Sequence, residues 1–591
     1  MRIVLSLIGI ACAGAVFAQQ AADAVAPEAA GVGAFEGLSP AAMAALDEKA
    51  AGRPVVAQNW MVAAANPLAV QAGADVLARG GTAADALVAV QTVLGLVEPQ
   101  SSGLGGGAFL VWYDAASGAV TTLDGRETAP LAATPRLFQD ADGAPLKFFD
   151  AVVGGLSVGT PGTPALLAEV HARWGTADWA DLLAPAIDLA EAGFAVSPRL
   201  AGLVADDADR LSSSETTAAY FLPQGVAVQA GDVLVNQAYA DTLRVMASGG
   251  ADAFYTGDMA SNIVATVQGA SNPGVLSEVD LAIYNVKERA AVCAPYRAHE
   301  VCGMGPPSSG AVAVGQILGL LEGYDLSAGP QDIEVRRLIG DASRLAFADR
   351  GRYLADSDYV PVPVTGLLDP AYLAERAKLL TGDDALPEVA PGNPAFDHAL
   401  NWADDMAIEL PSTSHISIVD SQGNVASMTT TIENGFGSRL MVGGFLLNNE
   451  LTDFSFQSHA EGVPIANRVE PGKRPRSSMA PTIVMKDGTP VLAVGSPGGS
   501  RIIGYVAGAI VAHLDWGMDV QSAVSTPHAV NRFGTYDLEE GTSAVDLSDG
   551  LAALGFEVGT RALISGLHMI AIGDDLRGGA DPRREGIALG D

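Results

Sequence analysis

The sequence predicts an α/β fold, and two patterns carry that prediction. From Pro161 to about Leu380 apolar residues recur at helical spacing, over residues 164–174, 179–192, 235–247 and 335–348. From Thr413 onward short alternating strands dominate, followed by a helix over 503–514. Hydrophobic residues are 49% of the 591, enough for a packed core and too many for a disordered chain. No internal repeat is evident.

Taken in order, residues 1–18 hold one basic residue, Arg2, an apolar run over 3–10, and the ending Ala15-Val16-Phe17-Ala18. This reads as a secretory signal cut before Gln19, not as a membrane span, so the expected location is periplasmic or secreted. Cys12 invites a lipoprotein reading, but Gly9-Ile10-Ala11 is a poor lipobox and would leave too short a signal. No other apolar run reaches the roughly 18 residues of a membrane helix. Residues 19 to about 53, rich in Ala and Gly, are expected to form a poorly ordered leader. Residues 66–97 predict two packed helices broken at Gly80-Gly81. Residues 108–123 predict a strand pair turning at 114–118.

Short strand pairs interrupt the helical region around the two remaining cysteines, Cys293 and Cys302. If the hairpin turns at Arg297-Ala298, these face each other at a non-hydrogen-bonded position, where side chains approach most closely. In an oxidising compartment that predicts a disulfide; the alternative is two buried thiols. Residues 381–412 carry many Pro, Gly and Asp, including Asp383-Asp384 and Asp404-Asp405, and predict an exposed, mobile connector. Beyond it come an alternating strand, His415-Ile416-Ser417-Ile418-Val419, a polar turn over 420–424, and a second strand over 425–432 with three threonines.

Charge and motif content exclude several classes. A net charge of −35 argues against nucleic acid or an anionic membrane surface as partner. The glycine-rich run 103–107 lacks both the GxGxxG spacing and the Lys-Ser/Thr ending of a phosphate loop. The eight histidines form no metal-ligand pattern such as HExxH, so no metal or cofactor is expected, and His415 is read as structural.

Thr413 alone would be an ordinary strand-edge residue. Its surroundings change that. The run Asn66-Pro67-Leu68-Ala69, Gly80-Gly81-Thr82-Ala83-Ala84-Asp85-Ala86, Glu98-Pro99-Gln100-Ser101-Ser102-Gly103-Leu104-Gly105-Gly106-Gly107 and Asp124-Gly125-Arg126-Glu127-Thr128-Ala129-Pro130 precede it. Pro306-Pro307-Ser308-Ser309-Gly310 lies between. Lys473-Arg474-Pro475-Arg476-Ser477-Ser478-Met479, Gly495-Ser496-Pro497-Gly498-Gly499-Ser500-Arg501 and Gly579-Ala580-Asp581-Pro582-Arg583-Arg584 follow. Together, from about Pro54 to the C-terminus, these resemble the γ-glutamyltransferase family of N-terminal-nucleophile hydrolases.

The resemblance implies a four-layer αββα sandwich of two sheets between helices. It also implies a chain that cuts itself between Ser412 and Thr413, giving a large subunit over 19–412 and a small subunit over 413–591. A threonine hydroxyl is a poor nucleophile without a base, and a freed α-amine of pKa about 7.7–8.0 is one. Carried over position by position, Thr413 is the nucleophile, Thr431 the threonine that positions it, and Gly498-Gly499 the oxyanion-hole pair. Arg126, with Ser477 and Ser478, matches the seat of the donor α-carboxylate, for which a planar fork suits bidentate pairing. Asp453 matches the acceptor of the α-ammonium, and Glu450 a position that is Gln or Glu across the family.

Glu433 departs from the pattern, standing where better-known members carry asparagine. An anion there fits poorly beside a substrate carboxylate unless it is protonated, turned away or paired. The segment between Asp453 and Ser477 is short beside members with a full lid; Gly462-Val463-Pro464 leaves room for a reduced one. The leading expectation is a self-processing enzyme that moves a γ-glutamyl group from glutathione or related amides to water, an amino acid or a peptide amine. The alternatives are an acylase for glutaryl-type amides on the same fold, or an unprocessed exported binding protein.

Overall fold

The computed structural model describes residues 35, 37–398, 401–405, 407, 409–410 and 412–591. The expected signal at 1–18, with Cys12, lies outside the described residues, as does Pro411. Two seven-stranded sheets, both antiparallel throughout, form the centre. One runs, in spatial order, Ile587–Gly590, Met61–Ala64, Ser414–Val419, Val425–Thr431, Gly107–Asp114, Ala119–Gly125 and Lys287–Ala290. The other runs Val55–Ala57, Leu576–Ala580, His568–Ile572, Thr489–Gly495, Thr482–Lys486, His299–Gly303 and Val292–Tyr296.

Side chains alternate across a strand, so each sheet has two faces to bury. Ile416, Ile418, Leu110 and Met428 turn outward onto the helices Pro67–Ala78 and Ala83–Val97. Val301, Val484, Leu492 and Val494 of the second sheet turn the other way, onto Gly310–Leu321, Ile333–Tyr353 and Ile502–Leu514. Between the sheets, Val111, Val419, Val425, Ile483, Ala493 and Ile570 pack together. The layers are therefore helix, sheet, sheet, helix: the four-layer sandwich.

The paired helices near the N-terminus form for local reasons. Asn66 caps the first and Pro67 opens it. Gly80, at φ 87°, makes the left-handed break. Thr82 and Asp85 then cap the second reciprocally. Cys293 and Cys302 are directly opposed in the hairpin around Arg297-Ala298 and are joined as a disulfide.

Two expectations are corrected. The leader is not irregular throughout, because Pro40–Ala50 is a helix capped by Ser39, with Ala42 and Ala45 buried against the sandwich. The connector is not exposed where it nears Thr413: Trp402, Asp405, Glu409, Leu410 and Ser412 are all buried. Composition marked this segment as polar, but its acids are neutralised by buried arginines, which composition does not register.

Candidate active site

Register places Thr413. Ser414 pairs with Thr430, so Thr413 and Thr431 stand opposite one another at the end of the two central strands. Their parity is that of His415, Ser417 and Thr429, whose side chains lie between the sheets. Of the three consecutive threonines, Thr431 is the one within reach: its Oγ1 is 3.5 Å from Thr413 Oγ1. Thr429 is taken up by His415 Nδ1 at 2.9 Å, and His415 Nε2 meets Ser417 at 3.0 Å. Burial pushes the His415 pKa well below its ordinary value, which suits a neutral packing residue.

The Ser412–Thr413 peptide is bonded by both threonine hydroxyls. Its carbonyl oxygen accepts from Thr413 Oγ1 at 2.6 Å and from Thr431 Oγ1 at 3.0 Å. Thr431 in turn accepts the Glu433 N–H at 2.8 Å, which leaves its own proton for the carbonyl. Flanking bonds fix the strand entry: Ser412 donates to Gln100 O, Arg584 to Thr413 O, and Ser414 to Glu98.

Around this bond lies a cavity of about 20 Å³, lined by Arg126, Glu433, Glu450, Asp453, Ser478 and Gly499 among others. That holds about one water and no acyl donor. The connector fills the rest. Gly499, at φ 57°, faces its backbone so closely that a Cβ would stand 2.8 Å from the Leu410 carbonyl and 2.9 Å from Glu409 O. Gly498, at φ 136°, does not line the cavity and backs onto the Tyr505 ring.

The remaining candidates fall into two charged groups. Arg126, fully buried, donates to Glu450 and, at 2.5 Å, to Asp453, with Glu127 at 3.8 Å. Burial works against its charge, but Glu450 and Asp453 outweigh burial and raise its pKa. The three carboxyls are all pushed up, by burial first. One cation cannot hold three buried anions ionised. Oδ1 of Asp453 has no hydrogen-bond partner among the described residues.

Glu433, at φ 75°, is turned onto the Asn449 amide at 2.5 Å and the Leu410 N–H at 3.3 Å. Burial, then the charge of Glu450, pushes its carboxyl up to about 8. Paired with the Asn449 amide and with its carboxyl pushed up, the glutamate fits this position in one of the ways the sequence allowed.

The second group was not anticipated. Ser478 donates to Glu409 of the connector, and Arg350 Nη2 reaches both Glu409 and, at 2.8 Å, Ser478. Arg476 Nε lies 3.6 Å from Glu409, while its Nη2 pairs with Asp405 at 2.9 Å. Burial opposes the Glu409 charge, yet Arg350 and Arg476 overcome it and hold the carboxyl below its ordinary pKa. Ser477, by contrast, spends its Oγ accepting the Met479 N–H at 3.1 Å. Arg476 sits inside a motif the sequence reading used; Arg350 and Glu409 had no local signal, being 59 residues apart. The short segment after Asp453 forms a hairpin, His459–Ala460 with Val463–Pro464, and Pro464 O accepts from Ala403 N of the connector.

A threonine hydroxyl bonded to its own preceding carbonyl, at the end of the central strands of an αββα sandwich, fits the class of N-terminal-nucleophile hydrolases. The particular family follows from comparison. A profile described as gamma-glutamyltranspeptidase matches residues 69–591, and the chain belongs to that family. It is 38% identical over 550 residues to the glutathione hydrolase proenzyme of Bacillus subtilis strain 168, covering 90% of this chain and 92% of that one. It is 36% identical over 548 residues to the glutathione hydrolase proenzyme of Escherichia coli K12, covering 90% and 91%. Among solved structures, the cephalosporin acylase from Bacillus halodurans superposes with a TM-score of 0.81 at 28% identity, covering 91% of this chain and 97% of that one. Family and fold make this chain an enzyme of γ-glutamyl transfer and hydrolysis.

Proposed function

We propose that the chain is the precursor of a γ-glutamyl hydrolase and transferase that cuts itself between residues 412 and 413. The observation that carries this is the Ser412 carbonyl, held by the hydroxyls of both Thr413 and Thr431. Attack by Thr413 Oγ1 on that carbon moves the Ser412 acyl group from nitrogen to oxygen, and the proton lost by Oγ1 ends on the freed amine. Thr431 donates to the oxyanion as it forms. Water then hydrolyses the ester, leaving large (19–412) and small (413–591) subunits of one precursor.

In the mature site the Thr413 α-amine takes the proton of its own hydroxyl, which attacks the γ-carbonyl of glutathione or a related amide. The leaving amine takes that proton. Water or an amino acid or peptide amine then removes the γ-glutamyl group. Gly498 and Gly499 supply the oxyanion hole once residues 409–412 withdraw. Arg126, Ser477 and Ser478 receive the donor carboxylate; Asp453, with an unpartnered oxygen, and Glu450 receive its ammonium. The reading places the enzyme in the periplasm or outside the cell, and among the described residues no helix is long and apolar enough to cross a membrane.

Thr413→Ala is expected to leave a single uncut, inactive chain, read by gel and by N-terminal sequencing; cleavage at the same bond in that variant would overturn self-processing by this residue. Arg126→Lys keeps a point charge without the fork and should raise the donor KM about tenfold or more. One observation favours a second reading, as a glutaryl-amide acylase: the superposition on the cephalosporin acylase from Bacillus halodurans at a TM-score of 0.81. Glutaryl amides turned over as well as γ-glutamyl amides would establish it.

A further inference from the structure

The strand Ser414–Val419 is held unevenly at its start. Its pairing with Val425–Thr431 runs to Ser414, but its pairing with Met61–Ala64 stops at Ile416. Past that point a side chain meets the Thr413 carbonyl: Arg584 Nη1 donates to it at 3.0 Å. Arg584 belongs to the segment that leads into Ile587–Gly590, the strand on the far side of Met61–Ala64.

Arg584 is buried and fixed from two directions. Its stem runs close to Gly566, where a Cβ would stand 2.8 Å from Arg584 Cδ and 2.6 Å from Pro497 Cγ. Its backbone carbonyl accepts from Lys49 Nζ, which also donates to Gly586 O at 2.7 Å. Lys49 lies on the helix Pro40–Ala50, ahead of the residues 69–591 that the family profile matches. The neighbouring Glu585 reaches the same peptide from its other end. Glu585 accepts from Arg199 N at 3.2 Å, Arg199 Nη1 donates to Glu98 at 3.3 Å, and Ser414 Oγ donates to Glu98 at 3.1 Å.

A trans peptide is a rigid plane from one Cα to the next. Gripping Thr413 O while Ser414 is held in the ladder therefore fixes the Thr413 Cα. One soft torsion, about the Cα–C bond, then separates that plane from the Thr413 hydroxyl. Without the grip the torsions of Ser414 are added to it, and the first residues of a chain are the ones that lose order. A displacement of about 1 Å at a reacting group costs on the order of 100-fold in rate. Arg584 is not among the residues that line the cavity, so its contact is with Thr413 and not with a donor.

We propose that Arg584 is a positioning residue for acyl transfer: its guanidinium clamps the Thr413 carbonyl, and Lys49 of the N-terminal helix holds the clamp in place. This rests on the reading of Thr413 as nucleophile given above. The clamp serves both attacks by the Thr413 hydroxyl, self-cleavage and donor turnover, and takes no part in recognising the donor.

Arg584→Met keeps the stem beside Gly566 and removes the hydrogen-bond donor. The assay uses processed enzyme with γ-glutamyl-p-nitroanilide, or glutaryl-p-nitroanilide if wild type prefers it. The variant should lower kcat/KM about 10- to 100-fold, while the inhibition constant of the matching product acid, glutamate or glutarate, stays within about twofold. Arg584→Lys should restore part of the loss. An unchanged kcat/KM, or an inhibition constant that rises as far as kcat/KM falls, overturns the clamp and leaves the function standing. No recovery in Arg584→Lys assigns the loss to packing and also overturns it. If Arg584→Met is recovered uncut, its cleavage is timed on the purified chain; a wild-type rate overturns the proposal and a slowed one supports it. If it does not fold, Lys49→Met decides: with the Arg584 side chain intact, kcat/KM should fall about threefold or more at an unchanged inhibition constant, and an equal kcat/KM overturns the proposal. Wild-type chain that stays uncut, or that turns over neither donor, overturns the reading of the function instead.

Discussion

The two charged groups beside Thr413 differ in who supplies the countercharge. Around Arg126 every partner, Glu127, Glu450 and Asp453, belongs to the body of the sandwich and stays after cleavage. Around Arg350 and Arg476 the partners Glu409 and Asp405 both come from the connector. The first group is self-contained and over-supplied with carboxyls; the second draws its countercharge from the connector.

Removing the cation tests the self-contained group most severely. Arg126→Met leaves three buried carboxyls without a counterion and should cost about 3–5 kcal/mol in both forms of the protein, read as a lower denaturant midpoint. Equal stability of wild type and variant would show that the group is neutralised by protonation alone. Glu409→Gln keeps the shape and loses the charge. On the uncut Thr413→Ala chain it should cost about 1–3 kcal/mol, and on processed enzyme nothing measurable. A matching loss in the processed form would mean that Glu409 never leaves its seat.

The pH dependence of stability sharpens the comparison further. Burial and the Glu450 charge push the Glu433 carboxyl up to about 8, whereas an unfolded glutamate titrates near about 4.3. Between those values the folded chain binds the extra proton, so stability falls as pH rises through the window; below it the contribution is complete. Glu433→Gln has no proton to lose. Its unfolding free energy should fall by less than that of wild type between pH 4.3 and 8, by an amount on the order of a few kcal/mol at most. Parallel pH profiles would place the Glu433 charge outside the group.

Much of the fold was legible because its signals are local. The Gly80-Gly81 break with Thr82 and Asp85 after it, the alternation from His415 to Val419, and the Cys293 to Cys302 hairpin each depend on residues within a few positions. The site was legible only through motifs, since its parts come from distant segments. Arg126 and Glu450 are 324 residues apart, and Arg350 and Ser478 are 128 apart. The connector was misread for the same reason: a run of Asp, Pro and Gly looks exposed until buried arginines are known to face it.

By itself, then, the sequence determined which segments become helix and strand, and which hydroxyl sits at the head of the strand that begins after Ser412. Periodicity, caps and turns are short-range, and the strand that begins after Ser412 is set by them. Only the tertiary structure decided that Thr431 and not Thr429 or Thr430 faces it, that Glu433 is buried with its carboxyl pushed up, and that Glu409 meets Arg350 and Ser478. Those outcomes follow from register, burial and long-range charge pairing, none of which is a property of adjacent residues.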